Sequence, residues 1–359
     1  MKIRFIVSIL AAILCFSCDQ YPIFYAVYQE VKPTEPRIKG NPTAVIELSG
    51  TAYVASRFGR TIYSYQAGNW TTSPSPPGGG IMEIASDGIS LYALTGIPLK
   101  NTEVYVYKDS QWKLVSLTGG GIIQTIRGAG NASAGYYIFA STKSELFFYK
   151  KDDAAFSPLL SDLSEENIVT GAALADNTFY VAVVNRGIYT FDGTALSDEP
   201  VTGTAGKAIV GMIAVEDTIV AVSRDGELFY GDSSQGFDSD NNSVTFSGAI
   251  GTWRDPADAT KKLLLVGIQA DKYSTVNGYR EILLPASGPL PTNNSLRMPG
   301  ANNPTTVSNT DRYTSTVGLR IVTSLYQAPD GILFAPTMKH GLWSYRRHGE
   351  REEVWNAEE

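Results

Sequence analysis

Few groups in this chain combine residue types and spacing that suit chemistry. The only two histidines, His340 and His348, stand apart with no cysteine nearby, which fits surface or turn positions better than a zinc pair. Asp238-Ser239-Asp240-Asn241-Asn242 opens like a calcium loop, but Ser243 stands where such a loop needs glycine and Ala249 where it needs a bidentate glutamate. An Asn/Asp-rich hairpin loop between a third and a fourth strand is the better account. A Gly-x-Ser-x-Gly elbow, a phosphate loop and a His-Glu-x-x-His helix are all missing. Trp253-Arg254-Asp255 and Tyr279-Arg280-Glu281 hold the residue types of a glycoside-cleaving site, without diagnostic spacing. No metal and no cofactor is therefore expected. What remains is recognition: Lys100, Lys272, Tyr273, Arg297, Arg312 and Tyr313 are long polar or aromatic side chains of the kind that anchor protein or glycan contacts.

The elements that position these residues form a repeat. Gly187-Ile188-Tyr189-Thr190-Phe191 has copies at Ile62-Tyr63-Ser64-Tyr65, Val104-Tyr105-Val106-Tyr107, Leu146-Phe147-Phe148-Tyr149 and Leu342-Trp343-Ser344-Tyr345. Leu228-Phe229 is a half copy, with Gly231 in place of the second aromatic. Aligning Tyr63, Tyr105, Phe147, Tyr189 and Phe229 gives steps of 42, 42, 42 and 40 residues. A period of roughly forty in an all-β pattern predicts a β-propeller of four-stranded antiparallel blades. A small residue recurs in the apolar strand ahead of each aromatic, at Ala55, Ala93, Ala140, Ala182, Ala221, Gly267 and Ala335. This second ruler predicts seven blades, with six as the alternative. The aromatics read as packing between blades, because a strand covered on both faces becomes a nearly continuous apolar run.

Strand parity selects a face. If the first strand of each blade starts at one end of the ring, the loops between second and third strands lie at that same end, as do the links between blades. Gly96–Glu103 and Gln269–Gly278 are the longer such loops. Between Tyr279 and Trp343 the period stretches to 64 residues, the excess falling in Pro285–Thr316, which is rich in Pro, Asn, Ser and Thr. Long inserts on rigid platforms commonly carry binding, so a patch on the sixth, seventh and second blades is the expected site, and it includes the six residues named above. Ser86-Asp87-Gly88, Ser223-Arg224-Asp225-Gly226 and Asp330-Gly331 resemble Asp-containing turns of sialidase-like and NHL-like propellers, but Asp-Gly is also a favoured hairpin turn, and the turn reading is preferred.

Residues 1–17 read as an export signal. Lys2 and Arg4 precede an apolar run, Phe5–Phe16, of about a dozen residues, too short to span a bilayer. Ser17 supplies a small residue before Cys18, and Asp19 and Gln20 turn polar. The layout resembles a bacterial lipoprotein signal, of the lax kind found in spirochaetes, since Cys15 stands where leucine is usual. The resemblance implies that Cys18 carries the lipid, which would hold the protein on a membrane of the bacterial cell envelope, in a periplasmic or outer-membrane leaflet. An ordinary cleaved leader is the alternative. Cys15 and Cys18 are the only cysteines, so no disulfide staples the body. Residues 18–43 read as a tether or a strand that closes the ring, and 44–359 as one propeller domain with an insert near 285–320.

Hydrophobic residues make up 43 % and charged residues 18 % of the chain, enough apolar content for a large core. The net charge of −7 argues against nucleic acid as a partner. The expected function is a non-enzymatic envelope scaffold that binds a protein or glycan. The alternative is a carbohydrate-active enzyme, sialidase-like or lyase-like, with its site at the channel mouth.

Overall fold

Burial writes the strands. In Val169–Ala175 every second residue is buried, as in a strand with one packed face and one wetter face. In Thr178–Val183 five consecutive residues are buried, Phe, Tyr, Val, Ala and Val, so that strand is covered on both sides by residues that suit a pleated surface. The same pair of patterns recurs along the chain.

The computed structural model describes residues 38–117, 119–161, 168–241, 245–255, 258–269, 278–284, 321–348 and 352–358. Ile38–Glu358 is one compact unit, and its described residues form antiparallel meanders without helices. The first meander is β1 (Pro42–Leu48), β2 (Thr51–Ser56), β3 (Ile62–Gln66) and β4 (Asn69–Ser73). The second is β5 (Gly80–Ser86), β6 (Leu91–Ile97), β7 (Asn101–Lys108) and β8 (Gln111–Leu117). The third is β9 (Thr125–Asn131), β10 (Gly135–Ser141), β11 (Leu146–Lys150) and β12 (Ala155–Leu160). A short parallel pairing of Ala155 with Ser116 and Phe156 with Leu117 joins these two meanders at their outer edges. The fourth is β13 (Val169–Ala175), β14 (Thr178–Val183) and β15 (Gly187–Phe191). The fifth is β16 (Ile209–Val215), β17 (Thr218–Ser223), β18 (Glu227–Asp232) and β19 (Gly236–Asn241). The sixth is β20 (Thr245–Asp255), β21 (Asp258–Gln269) and β22 (Gly278–Leu284). The last is β23 (Tyr326–Gln327), β24 (Leu333–Thr337), β25 (Gly341–His348) and β26 (Glu352–Ala357).

The structure corrects the sequence reading at several points. The fourth meander lacks a regular fourth strand. An Asx turn at Asp192, whose carboxylate accepts the Thr194 and Ala195 amides at 2.8 Å, starts the return. Only scattered bonds follow, Ser197 N to Thr190 O at 2.8 Å and Val201 N to Ile188 O at 2.7 Å, because Pro200 brings no amide to a ladder. The first strand of the last meander is likewise cut short, to Tyr326–Gln327. Pro336 of β24 cannot donate, so Thr323 N to Pro336 O at 3.0 Å is a one-way contact there. Asp238–Asn241 lies in β19, paired with β18, and not in a hairpin loop; the loop is Ser233–Gln235, closed by Asp232. Gly231, where the repeat loses its second aromatic, is opposite Phe237, and a Cβ there would collide with the Gly236 carbonyl. Phe237 packs with Tyr180 and Phe229 in its stead.

The core sits between the meanders. Successive meanders share a buried cluster from first with second through to sixth with last. The small residues of the second ruler lie inside, with Ala93, Ala140, Ala182, Ala221 and Ala335 fully buried. Another cluster joins the last meander to the first, with Tyr65, Val54 and Val45 against Phe334 and Leu342. The Tyr65 and Phe334 rings stand 4.9 Å apart, and those of Trp70 and Phe334 5.3 Å. Tyr65 OH donates to Asp330 at 2.5 Å, and Trp70 Nε1 to Glu358 at 2.7 Å, while the other Glu358 oxygen accepts from Ser344.

Candidate functional site

The first strands line a common cavity of about 630 Å³, to which β1, β5, β9, β13, β16, β20 and Thr323-Ser324 all contribute. Glycine recurs on this wall because neighbouring backbones touch. A Cβ at Gly128 would strike the Ser86 carbonyl, and one at Gly211 the Gly248 carbonyl. These contacts set the inner strands side by side, with most of the wall made of backbone, Ala, Val, Ile, Ser and Thr.

The charged side chains lining the cavity are Glu47, Glu83 and Arg127. Glu83 sits midway along β5 and binds three ways: one oxygen accepts from Thr125 Oγ1 at 2.8 Å and Ile126 N at 2.9 Å, and the other pairs with Arg127 Nη1. Arg127 Nε reaches on to Thr170 O at 3.0 Å. One ion pair thus ties the second, third and fourth meanders. Glu47, near the end of β1, accepts the Gly50 amide at 2.7 Å. Hydrolysis of a glycosidic bond asks for an acid and a base facing each other across the reacting atom. Here one carboxylate is neutralised by an arginine and the other is tied to its own turn. Among the described residues, no group of three His, Cys, Asp or Glu side chains comes together to hold a metal.

The two ends of the unit differ in charge. Antiparallel strands put the first-to-second and third-to-fourth turns at one end, and the second-to-third loops at the other. Among the described residues Asp109, Asp152, Asp153, Asp176, Asp192, Glu216, Asp217 and Asp330 stand in the turns with Lys151, and Lys108, Lys113 and Lys262 on the adjoining strands pair with Asp152, Asp109 and Glu216. Several are held ionised: hydrogen bonds from Lys113 and Lys108 lower the pKa of Asp109 and Asp152, and Lys262 lowers that of Glu216. The Ala195 and Thr194 amides do the same for Asp192. Asp87 is fully buried in its turn, accepting the Ile89 and Ser90 amides at 2.9 and 2.7 Å and Tyr92 OH at 2.8 Å. It caps a turn, as expected.

Among the described residues the second-to-third loops are basic. Arg57, Arg60, Lys100, Lys143, Arg186, Arg224 and Lys339 stand in the second-to-third loops, against Glu145 and Asp225. Among the described residues, four of the six exposed large hydrophobics are here as well: Phe58 at 53 %, Ile97 at 52 %, Leu99 at 64 % and Met338 at 48 % exposure. They belong to the last, first and second meanders, which are consecutive in the packing.

Of the predicted binding residues, Lys100 falls in this patch, exposed beside Leu99. Lys272, Tyr273, Arg297, Arg312, Tyr313 and the lipidation candidate Cys18 lie outside the described residues. Sequence reasoning passed over the first and last loops. The signal was available: Arg57-Phe58-Gly59-Arg60, Pro98-Leu99-Lys100 and Met338-Lys339-His340 each join an apolar residue to a cation shortly after the Ala55, Ala93 and Ala335 ruler.

No family model and no curated protein matches the chain. Solved structures do. PorZ of Porphyromonas gingivalis, an essential bacterial surface component of the type-IX secretion system, aligns with a TM-score of 0.51 at 10% identity, over 89% of this chain and 39% of PorZ. The GH74 enzyme of Niastella koreensis aligns with a TM-score of 0.60 at 15% identity, over 89% of this chain and 54% of the enzyme. YCF48, in a structure bound to a D1 peptide, aligns with a TM-score of 0.51 at 10% identity, over 88% and 94% of the two chains. The chain thus spans well under two thirds of PorZ and of the GH74 enzyme. At such identities the likeness shows fold alone: the protein is all-β and β-propeller-like. Among the described residues no helix is long and apolar enough to cross a membrane.

Proposed function

We propose that the chain is a lipid-anchored propeller scaffold of a bacterial envelope, which binds a protein or glycan through its loop end. The ring is read as seven-bladed. Support comes from the run of clusters shared by successive meanders, completed by the one between last and first. Cys18 would carry the lipid, residues 18–43 would serve as tether, and Lys100, Lys272, Tyr273, Arg297, Arg312 and Tyr313 would meet the partner. The observation that carries the binding reading is the gathering of exposed Phe58, Ile97, Leu99 and Met338 with Arg57, Arg60, Lys100 and Lys339 at one end of the unit. The non-enzymatic reading draws support from the cavity, whose Glu83 is committed to Arg127, Thr125 and Ile126. PorZ as a bacterial surface component is consistent with an envelope address. The test is pull-down from intact envelopes with the full chain and with residues 288–316 deleted. The deletion is expected to abolish partner recovery at unchanged expression. Full recovery would refute a role for the insert.

A further inference from the structure

We infer that the loop end lies directly against an anionic bilayer surface, with Phe58, Leu99 and Met338 inserted among the headgroups. This rests on the reading of the loop end as the binding end, and departs from it in the partner, a lipid surface in place of a protein or glycan.

Three independent features point the same way. The first is how the apolar residues are presented. Phe58 and Leu99 both adopt positive φ, 63° and 61°, a conformation that bulky side chains rarely accept and that the surroundings must enforce. The surroundings do so for Phe58: its amide donates to Ile81 O at 2.6 Å, and Ile81 N donates to Gly59 O at 2.7 Å, riveting the loop to β5. Gly80 allows this approach, since a Cβ there would overlap the Phe58 backbone. The Met338 amide is fixed in turn to Ile321 O at 2.8 Å. Large apolar groups are thus held outward on stiff loop tips. Such protruding tips suit a fluid interface that closes around each one.

The second feature is charge. Arg57, Arg60, Lys100 and Lys339 flank these tips, in a chain whose net charge is −7. Apolar groups ringed by Lys and Arg are the composition that partitions into the headgroup region of anionic membranes. The turn end, where Asp109, Asp152 and Glu216 are paired with lysines, faces the other way.

The third is where the chain outside the described residues joins the unit. Residues 38–41 lead into β1 beside the Phe58 loop: Arg57 N donates to Asn41 O at 2.9 Å, and Ser56 Oγ donates to Lys39 O. The segment that carries Cys18 therefore enters at the basic, apolar end. A lipid on that segment and the loop tips would share one membrane, two weak attachments that together give stable anchoring.

The test uses the full chain carrying Cys18→Ser and sedimentation with vesicles of phosphatidylcholine alone or with anionic phosphatidylglycerol added. The leader, if retained, contributes to both arms, so the readout is the increment due to anionic lipid. That increment is expected to fall at least tenfold in Arg57→Glu/Arg60→Glu/Lys100→Glu, and as far for the unsubstituted loops when salt is raised. Phe58→Ser/Leu99→Ser should weaken binding to anionic vesicles with little change in its salt dependence. Equal binding to both vesicle types, or an increment that the charge reversal leaves intact, overturns the inference. Salt-sensitive capture of polyglutamate with no vesicle binding would mark the end as a protein-docking surface and overturn it too. Mass analysis of the mature N-terminus reports Cys18 lipidation separately, so the anchor and the membrane contact stand or fall apart.

Discussion

Glu358 is the clasp between the last and first meanders, and its removal gives a worked test of how the unit is held together. The carboxylate is buried, at 6 % exposure, and accepts from Trp70 Nε1 at 2.7 Å on one oxygen and from Ser344 on the other. Hydrogen bonds to a charged acceptor contribute about 1.5–3 kcal/mol each, and a buried donor left alone costs about 1–3 kcal/mol. Ser344 is fully buried, whereas Trp70 is half-buried and can turn to water. The sum for Glu358→Ala is about 2–4 kcal/mol. For a unit of about 320 residues the unfolding entropy is about 0.7 kcal/mol/K, so Tm should fall by roughly 3–6 °C. Thermal unfolding followed by tryptophan fluorescence measures it. Glu358→Gln, which keeps an acceptor for the indole, should lose less than half as much. A Tm shift below about 1 °C for Glu358→Ala would refute the clasp, as would equal losses for the two variants, because packing and the Tyr65–Asp330 hydrogen bond would then join the last meander to the first.

Two further perturbations test other parts of the fold. Phe237→Ala removes the ring that fills the space left by Gly231, and should cost about 3 kcal/mol, read from the urea midpoint, whereas an aromatic restored at position 231 should not rescue it. On the alkaline side, burial and then the bond to Glu103 push the Tyr105 hydroxyl up to about 12, and burial also raises Tyr92 and Tyr326. The folded protein keeps these protons when the unfolded chain, titrating near pH 10, has begun to lose them. Stability should therefore fall as pH rises from about 10 towards 12, and absorbance at the phenolate band should lag behind the tyrosine content until unfolding. Simple tyrosine-like titration with no loss of stability would contradict it.

Much of the architecture was legible because it rests on periodic contacts. Aromatics two apart and a small residue in each second strand are demanded by sheets packed face to face, so Ala93, Ala140 and Ala182 announce buried strands from the sequence alone. The departures were not legible because each depends on a single local conflict. Pro200 denies the fourth meander a ladder, Pro336 breaks β23, and Phe237 replaces an aromatic from the neighbouring strand. The loop end was half legible. Lys100 was reached through a long loop expected over Gly96–Glu103, which ladder pairing of Gly96 with Thr102 and Ile97 with Asn101 shortens to Pro98–Lys100; the Phe58 loop is longer, at residues 57–61, and the exposure of Phe58 follows from the hydrogen bonds to Ile81 that force its backbone outward.

The claim that the loop end is the working end is tested most directly by site-specific photo-crosslinking in intact envelopes. A photoreactive residue at Lys100 reports on the loop end, and one at Asp217 on the turn end. Adducts with envelope components are predicted from position 100 and not from 217. Adducts from 217 alone, or equal yields from both, would contradict the account.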